Sequence, residues 1–275
     1  MDLYPAIDIR GGGAVRLTQG DFDRQSEYGD PVSLARRFSS DGAPWLHVVD
    51  LDAARTGRPV NRATVLAIAR AVDVPVETGG GVRTADDIEE LLDGGVSRVI
   101  LGTVAVEDPG AVRTLSARYP GRVAIGLDYR LDAMGRTEVA SRGWEQGSGR
   151  TVSDVLAEFD EVGLAAVIVT AIERDGMLTG PDLAGLATVL LESSIPVIAS
   201  GGVGSVADIT ALARLSVPLP TSHAEGSSPA RLSAAASGTD GRPDVRRLAG
   251  AITGKALVDG RLTVEEGVAA CAPSA

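Results

Sequence analysis

A (β/α)8 barrel of the TIM type, assembled from two duplicated half-barrels, is the α/β fold that this sequence predicts. Eight short apolar runs rich in β-branched residues alternate with longer amphipathic stretches. A nine-residue segment opening on Gly-Gly-Val recurs 121 residues further on, and an aspartate ends both the first and the fifth run, 120 residues apart. Eight βα units in one chain point to a closed barrel, with an open doubly wound sheet as the other arrangement of the same units.

The runs are Leu3–Ile9, Trp45–Leu51, Val74–Thr78, Arg98–Leu101, Val123–Leu127, Ala166–Ala171, Pro196–Ser200 and Leu248–Thr253. Between them Thr84–Asp93 and Ser205–Leu215 read as helices. Thr84 before Asp87, and Ser205 before Asp208, resemble N-terminal capping signals. In the repeat, Gly80–Ile88 lines up with Gly201–Ile209 and Asp8 with Asp128. Gly102 finds its counterpart only at Gly254, 152 residues on, which is 31 residues more than the repeat requires. The surplus falls in Ser216–Arg247, rich in Pro, Ser, Gly and Ala and without periodicity. This tract reads as a flexible insertion between the seventh helix and the eighth strand of a single barrel domain spanning 1–275. It lies on the face opposite the active site, functionally neutral there or else a place of oligomer contact or regulation. A second long segment, Tyr129–Gly149, follows the fifth strand on the catalytic face, where long loops serve as lids or clamps.

The chain has 275 residues, in keeping with one barrel of about 250. Hydrophobic residues make up 44% but aromatics only 3%, so the core must be built from Val, Ile, Leu and Ala, as in a parallel barrel. The net charge of −11 argues against nucleic acid or an anionic membrane as partner. A phosphate would have to be held by local backbone amides. One cysteine, Cys271, excludes an intramolecular disulfide and a multi-cysteine metal site. The opening Met1-Asp2-Leu3 leads into no basic stretch followed by an apolar run, and no segment is long enough to span a bilayer. The expectation is a cytoplasmic monomer acting on a small molecule.

Asp8 and Asp128 each end an apolar strand and so face the barrel mouth, where desolvation raises a carboxyl pKa toward a range useful for proton transfer. They lead the candidates for acid–base chemistry; the other reading is that each caps a turn or pairs with an arginine. There are two histidines: His47, inside the second strand, reads as a satisfied core residue, and His223 lies in the insertion. Neither a Ser-His-Asp triad nor a histidine metal site is expected. Chemistry by carboxylates alone suits sugar ring opening and enolisation. Four glycine turns follow strands on the catalytic face: Gly79-Gly80-Gly81, Gly102-Thr103, Gly201-Gly202 (directly after Ser200) and Gly254-Lys255. Glycine lets backbone amides approach a phosphate, and the loops after strands seven and eight are the usual barrel phosphate site. The repeat supplies that site twice, on opposite rims, so the natural ligand carries a phosphate at each end. Arg16, Arg83, Arg142 and Lys255 lie near these features. Trp144 either stacks on a planar heterocycle or anchors its loop. Asp175, beside Gly176, is placed to bind a ribose hydroxyl, and Thr170 to orient a reacting group.

These residues resemble the HisA-type isomerases of histidine biosynthesis. The resemblance rests on Pro5-Ala6-Ile7-Asp8 with Val15-Arg16-Leu17-Thr18-Gln19-Gly20-Asp21, on His47-Val48-Val49-Asp50-Leu51, Gly79-Gly80-Gly81-Val82-Arg83 and Gly126-Leu127-Asp128. It continues through Gly143-Trp144, Arg174-Asp175-Gly176, Ala199-Ser200-Gly201-Gly202-Val203 and Gly254-Lys255-Ala256-Leu257, covering the chain except Ser216–Arg247. It implies an Amadori rearrangement of a doubly phosphorylated aminoaldose to an aminoketose, without cofactor or metal. Asp128 would be the acid that opens the furanose ring, and Asp8 the base that takes the C2 proton. The family usually has an acidic residue after Thr170; this chain has Ala171, the repeat partner of Asp50, which puts any polar contact there in doubt. A dual-substrate relative that also isomerises phosphoribosyl anthranilate in tryptophan biosynthesis is the nearest competitor, since Arg142 beside Gly143-Trp144, and Trp45, resemble it too. The sister cyclase carries Cys-Leu-Asp where this chain has Ala6-Ile7-Asp8. A barrel that binds a phosphorylated ligand without catalysis is the alternative of another class.

Overall fold

A computed structural model of the chain describes residues 1–18, 21–141, 146–219 and 245–272. Each apolar run carries a strand of the main sheet: β1 (Asp2–Arg10), β2 (Leu46–Asp50), β3 (Val76–Gly79), β4 (Arg98–Leu101), β5 (Val123–Leu131), β6 (Val167–Ala171), β7 (Val197–Ser200) and β8 (Gly250–Thr253). Each pairs in parallel with the next in chain order. β8 pairs back onto β1, Asp2 opposite Gly250, so the sheet closes into the expected barrel and the open-sheet arrangement is set aside. Helices cover it, among them Ala85–Asp93 and Val206–Arg214, which start at Thr84 and Ser205. Each of those hydroxyls accepts from the backbone N–H three residues on, and Thr84 completes a capping box with Asp87.

Strand alternation sorts the side chains into two cores. Leu3, Ile7, Val48, Val99, Ile125, Val169 and Ala199 pack between sheet and helices. Tyr4, Ala6, Ile100, Ala124, Ala166, Ile168, Ile198 and Ile252 fill the barrel interior, with Trp45 against them. The interior is not equally divided between the halves. The first half contributes Tyr4, Trp45, His47, Glu77 and Arg98; the repeat partners are Ala124, Ala166, Ile168, Ile198 and Gly250. Large residues on one side are thus met by small ones on the other. A methyl added at Gly250 would lie 2.4 Å from the Tyr4 ring. Tyr4 and Trp45 stack with centroids 5.6 Å apart, and the Arg98 guanidinium lies 4.5 Å from the Trp45 ring centre.

Two hairpin arms rise from the catalytic end at equivalent places in the halves. After β1 the chain turns at Gly11 and Gly12, both in the left-handed region, into strand Gly13–Thr18, which pairs with β1 and with Asp21–Gly29. β5 runs past its expected end to Leu131 and pairs with Thr137–Ser141, which pairs in turn with Gln146–Thr151. The long segment after the fifth strand is therefore largely extended. Asp132 closes its turn, accepting from the backbone N–H groups of Met134 and Arg136 and pairing with the Arg136 side chain at 2.7 Å. The ends of the tract 216–247 also form strands: Ser216–Pro218 pairs with Val245–Arg247, and Arg246 donates to the carbonyls of Leu190 and Leu191 on helix Leu183–Glu192. Residues 220–244, including His223, lie outside the described residues. No helix among the described residues is long and apolar enough to cross a membrane.

Gly250→Ala should lower stability by about 1–3 kcal/mol in urea unfolding, because the new methyl overpacks against Tyr4. Gly13→Ala, whose methyl meets nothing nearer than 3.8 Å, should stay within about 0.5 kcal/mol.

Candidate active site

Asp8 sits near the mouth end of β1, opposite Val49, and Asp128 in the equivalent place on β5, opposite Thr170 of β6. Asp128 and Thr170 are half-buried, whereas Asp8 is 9% exposed. The first arm sets the charge beside Asp8. Its register puts Val15 opposite Asp8, and Arg16 then reaches Asp8 Oδ2 from Nη1 at 2.8 Å. Nη2 of the same guanidinium meets Asp175 Oδ1 at 2.9 Å. Asp175 is held by the turn after β6, where its N–H donates to the carbonyls of Ala171 and Ile172. Burial raises the Asp8 pKa, the Arg16 charge opposes the rise, and the Asp175 carboxylate adds to it. Burial works against the charge of Arg16, but the carboxylates of Asp175 and Asp8 outweigh it and raise its pKa.

One cleft opens beside this ion-pair chain. Eight residues singled out in the sequence line it: Arg16, Asp175, Gly176, Ser200, Gly201, Gly202, Gly254 and Lys255, together with Leu178, Val203, Ile252 and Thr253. Two of its polar atoms, Arg16 Nε and Thr253 Oγ1, are buried without a hydrogen-bond partner among the described residues. Buried polar atoms are usually paired, so such orphans mark a place where a ligand or water completes the bonding. Lys255 is tethered at the edge: Nζ meets Asp259 Oδ2 at 2.6 Å, while the Tyr28 hydroxyl of the first arm donates to Asp259 Oδ1 at 2.8 Å.

The glycine turns answer first to packing. A methyl at Gly80 would lie 2.2 Å from the Asp50 carbonyl oxygen, and one at Gly202 would lie 2.3 Å from that of Gly180. Both residues have positive φ, so only glycine fits either place. On the opposite rim, Gly80 and Gly81 follow β3, and the Arg83 guanidinium lies over Gly57 in the loop after β2. Gly102 (φ −93°, ψ −98°) and Gly254 (φ −121°, ψ −75°) share an uncommon backbone shape ahead of the short helices Thr103–Glu107 and Lys255–Val258, so the two halves repeat at this level too. Arg142 and Trp144 lie outside the described residues.

Three features went unread in the sequence. Asp50, buried, accepts from Ala53 N–H, Asn61 N–H and Asn61 Nδ2, which locks the loop after β2. At the equivalent place in the second half the acceptor and donor trade sides: Ala171 is small, its neighbour Tyr129 is large, and the Tyr129 hydroxyl donates to Asp182 Oδ2 at 2.7 Å. Asp182 is the repeat partner of Asn61. Ala171 is therefore accommodated by a different lock. Trp45 belongs to the barrel interior with Tyr4 and Arg98, so it bears on packing. Finally, Glu77, fully buried, pairs with His47 and Arg98 inside the barrel. Its signal was a carboxylate within an apolar strand, and His47, read as a core residue, lies in the barrel interior with Nδ1 paired to Glu77.

The family model described as histidine biosynthesis protein matches residues 2–219. Among curated proteins, 1-(5-phosphoribosyl)-5-((5-phosphoribosylamino)methylideneamino) imidazole-4-carboxamide isomerase of Dinoroseobacter shibae is 43% identical over 273 residues, covering 99% of this chain and 100% of that protein. The isomerase of the same name from Parasynechococcus marenigrum is 43% identical, covering 99% of this chain and 94% of that protein. That from Paracoccus denitrificans is 42% identical, with 99% and 100% covered. With a closed barrel, an aspartate at the mouth of each half, and relatives aligned from end to end, the chain belongs to the histidine biosynthesis protein family.

Proposed function

We propose that this chain is a 1-(5-phosphoribosyl)-5-((5-phosphoribosylamino)methylideneamino) imidazole-4-carboxamide isomerase, the aminoaldose-to-aminoketose step of histidine biosynthesis. The observation that carries the reading to this site is the Asp8–Arg16–Asp175 chain on the edge of a glycine-walled cleft that holds two unpartnered polar atoms. The relatives' names specify two phosphoribosyl groups, and the paired turns at Gly201, Gly202 and Gly254, and at Gly80, Gly81, Gly102 and Thr103, are suited to one phosphate each. Arg83 and Lys255 are the cations at the two rims. Asp175 and Ser200 are suited to ribose hydroxyls, Thr170 to the reacting carbon chain, and Arg142 with Trp144 to the imidazole end.

The chemistry is a migration of hydrogen within one molecule. Asp128 gives a proton to the furanose ring oxygen as the C1–O bond breaks, leaving an iminium at C1. Asp8 then takes the proton from C2, the electron pair forming the C1–C2 double bond of an enolamine. Return of a proton to C1 and loss of one from the C2 hydroxyl gives the ketose. No electrons leave the substrate, so two positioned carboxyl groups suffice. Burial suits Asp8 to the base role, since a raised pKa makes a stronger proton acceptor, and the Arg16 charge opposes that rise. A barrel that only binds its ligand would need no such base. Trp45, one of the two likenesses to the dual-substrate relative, packs against the barrel interior, and we propose the histidine-pathway reaction.

Purified protein should convert the aminoaldose to the aminoketose, followed by chromatographic separation of the isomers. Asp8→Asn and Asp128→Asn should each lower kcat by roughly 10²–10⁴-fold with binding largely kept; unaltered turnover in both would refute the mechanism. Arg16→Met removes the charge that opposes burial at Asp8, so the Asp8 pKa rises further and the acidic limb of the kcat/KM profile moves to higher pH. An unmoved limb would detach Arg16 from the base. Crystals soaked in sulfate should show an anion at both glycine rims, and occupation of one rim alone would argue for a smaller substrate.

A further inference from the structure

Beneath Asp8 the barrel interior carries a polar chain that the proposed proton transfers do not use. β1 and β2 run side by side with Ala6 opposite His47 and Asp8 opposite Val49, so His47 lies one inward layer below the base. His47 Nδ1 meets Glu77 Oε1 at 2.7 Å, Arg98 Nε donates to Glu77 Oε2 at 2.8 Å, and Arg98 Nη2 bonds both Glu77 Oε2 and the Tyr4 hydroxyl. Glu77 is wholly buried, while the His47 side chain keeps 12% of its surface open. Burial alone would raise the Glu77 pKa; the hydrogen bonds from His47 and Arg98 and the Arg98 charge oppose it, and the carboxyl is held below its ordinary range. An ionised carboxylate only accepts, so the proton between the two side chains sits on His47 Nδ1. In the neutral ring Nε2 is then an acceptor, turned away from Glu77.

The repeat makes this chain hard to assign to folding. The partners of His47, Glu77 and Arg98 are Ile168, Ile198 and Gly250, so the floor under Asp128 is apolar and the same barrel closes without ions there. Buried ion pairs are in general poor stabilisers compared with well-packed apolar residues. Among the described residues, the polar floor is found on the side of the base. We propose that Glu77 and Arg98 are positioning residues that act through His47, fixing its imidazole with Nδ1–H on Glu77 and leaving Nε2 as an acceptor for a hydroxyl of the opened sugar. This rests on the isomerase reading above.

The chain has two histidines, so in a His223→Gln background a single imidazole remains for ¹⁵N NMR. That spectrum should show Nδ1 protonated and Nε2 bare in the neutral ring. Glu77→Gln keeps the shape: Arg98 claims the amide oxygen, the amide NH2 faces His47, and the proton should move to Nε2. kcat should fall roughly tenfold to hundredfold, as for a group displaced by about an ångström. Should Glu77→Gln fail to fold, His47→Asn keeps a donor where Nδ1 was and deletes Nε2. It should fold as the wild type yet show the same loss of kcat. A wild-type ring protonated on Nε2, or wild-type kcat in His47→Asn, overturns the proposal. A wild type that binds the aminoaldose without converting it would instead overturn the isomerase reading and this proposal with it, whereas failure of the proposal alone leaves wild-type turnover intact.

Discussion

The space inside a closed eight-stranded barrel is set by strand number and tilt, and the inward side chains must fill it without excess. In this chain the limit is met by opposing unequal halves. Tyr4, Trp45 and Arg98 occupy the lower interior because Ala124, Ala166 and Gly250 leave room for them. A duplicated sequence with identical halves would put each of these large side chains into that volume twice. Divergence into a large, polar half and a small, apolar half resolves the conflict and leaves Asp8 and Asp128 at corresponding strand positions at the mouth.

The same trade recurs higher up. Asp50 and Asn61 lock one loop with the acceptor on the strand; Tyr129 and Asp182 lock the equivalent loop with the donor on the strand. Each solution satisfies its buried polar groups, and in the second half the large Tyr129 stands opposite the small Ala171. Asp8 acquires a guanidinium, a second carboxylate and a polar floor, while the floor under Asp128 is Ile168 and Ile198. Two carboxylates at equivalent places thus stand over different floors, one polar and one apolar, as suits the different roles proposed for them.

Strand placement was legible because period-two alternation and the Gly-rich ends are written in consecutive residues; β2, β4 and β7 lie within the runs read from the sequence. The capping hydroxyls of Thr84 and Ser205 were legible for the same reason, their partners being three residues away. The first hairpin arm was not, since Gly11-Gly12-Gly13 reads as a loop until β1 offers its edge to Gly13–Thr18. Eight of the proposed site residues meet in one cleft, but the reason for their glycines was only half seen, as Gly80 and Gly202 first permit backbone contact with Asp50 and Gly180.

By itself the sequence determined the barrel, its duplication and the pair of strand-end aspartates, all of which follow from spacing along the chain. Only the tertiary structure decided what each group touches: that Arg16 bridges Asp8 and Asp175, 159 residues apart from the latter, and that Arg98 reaches Tyr4 across 94 residues. The physical reason is that hydrophobic periodicity is a property of neighbours, whereas charge, desolvation and hydrogen bonding depend on which distant strands closure brings side by side.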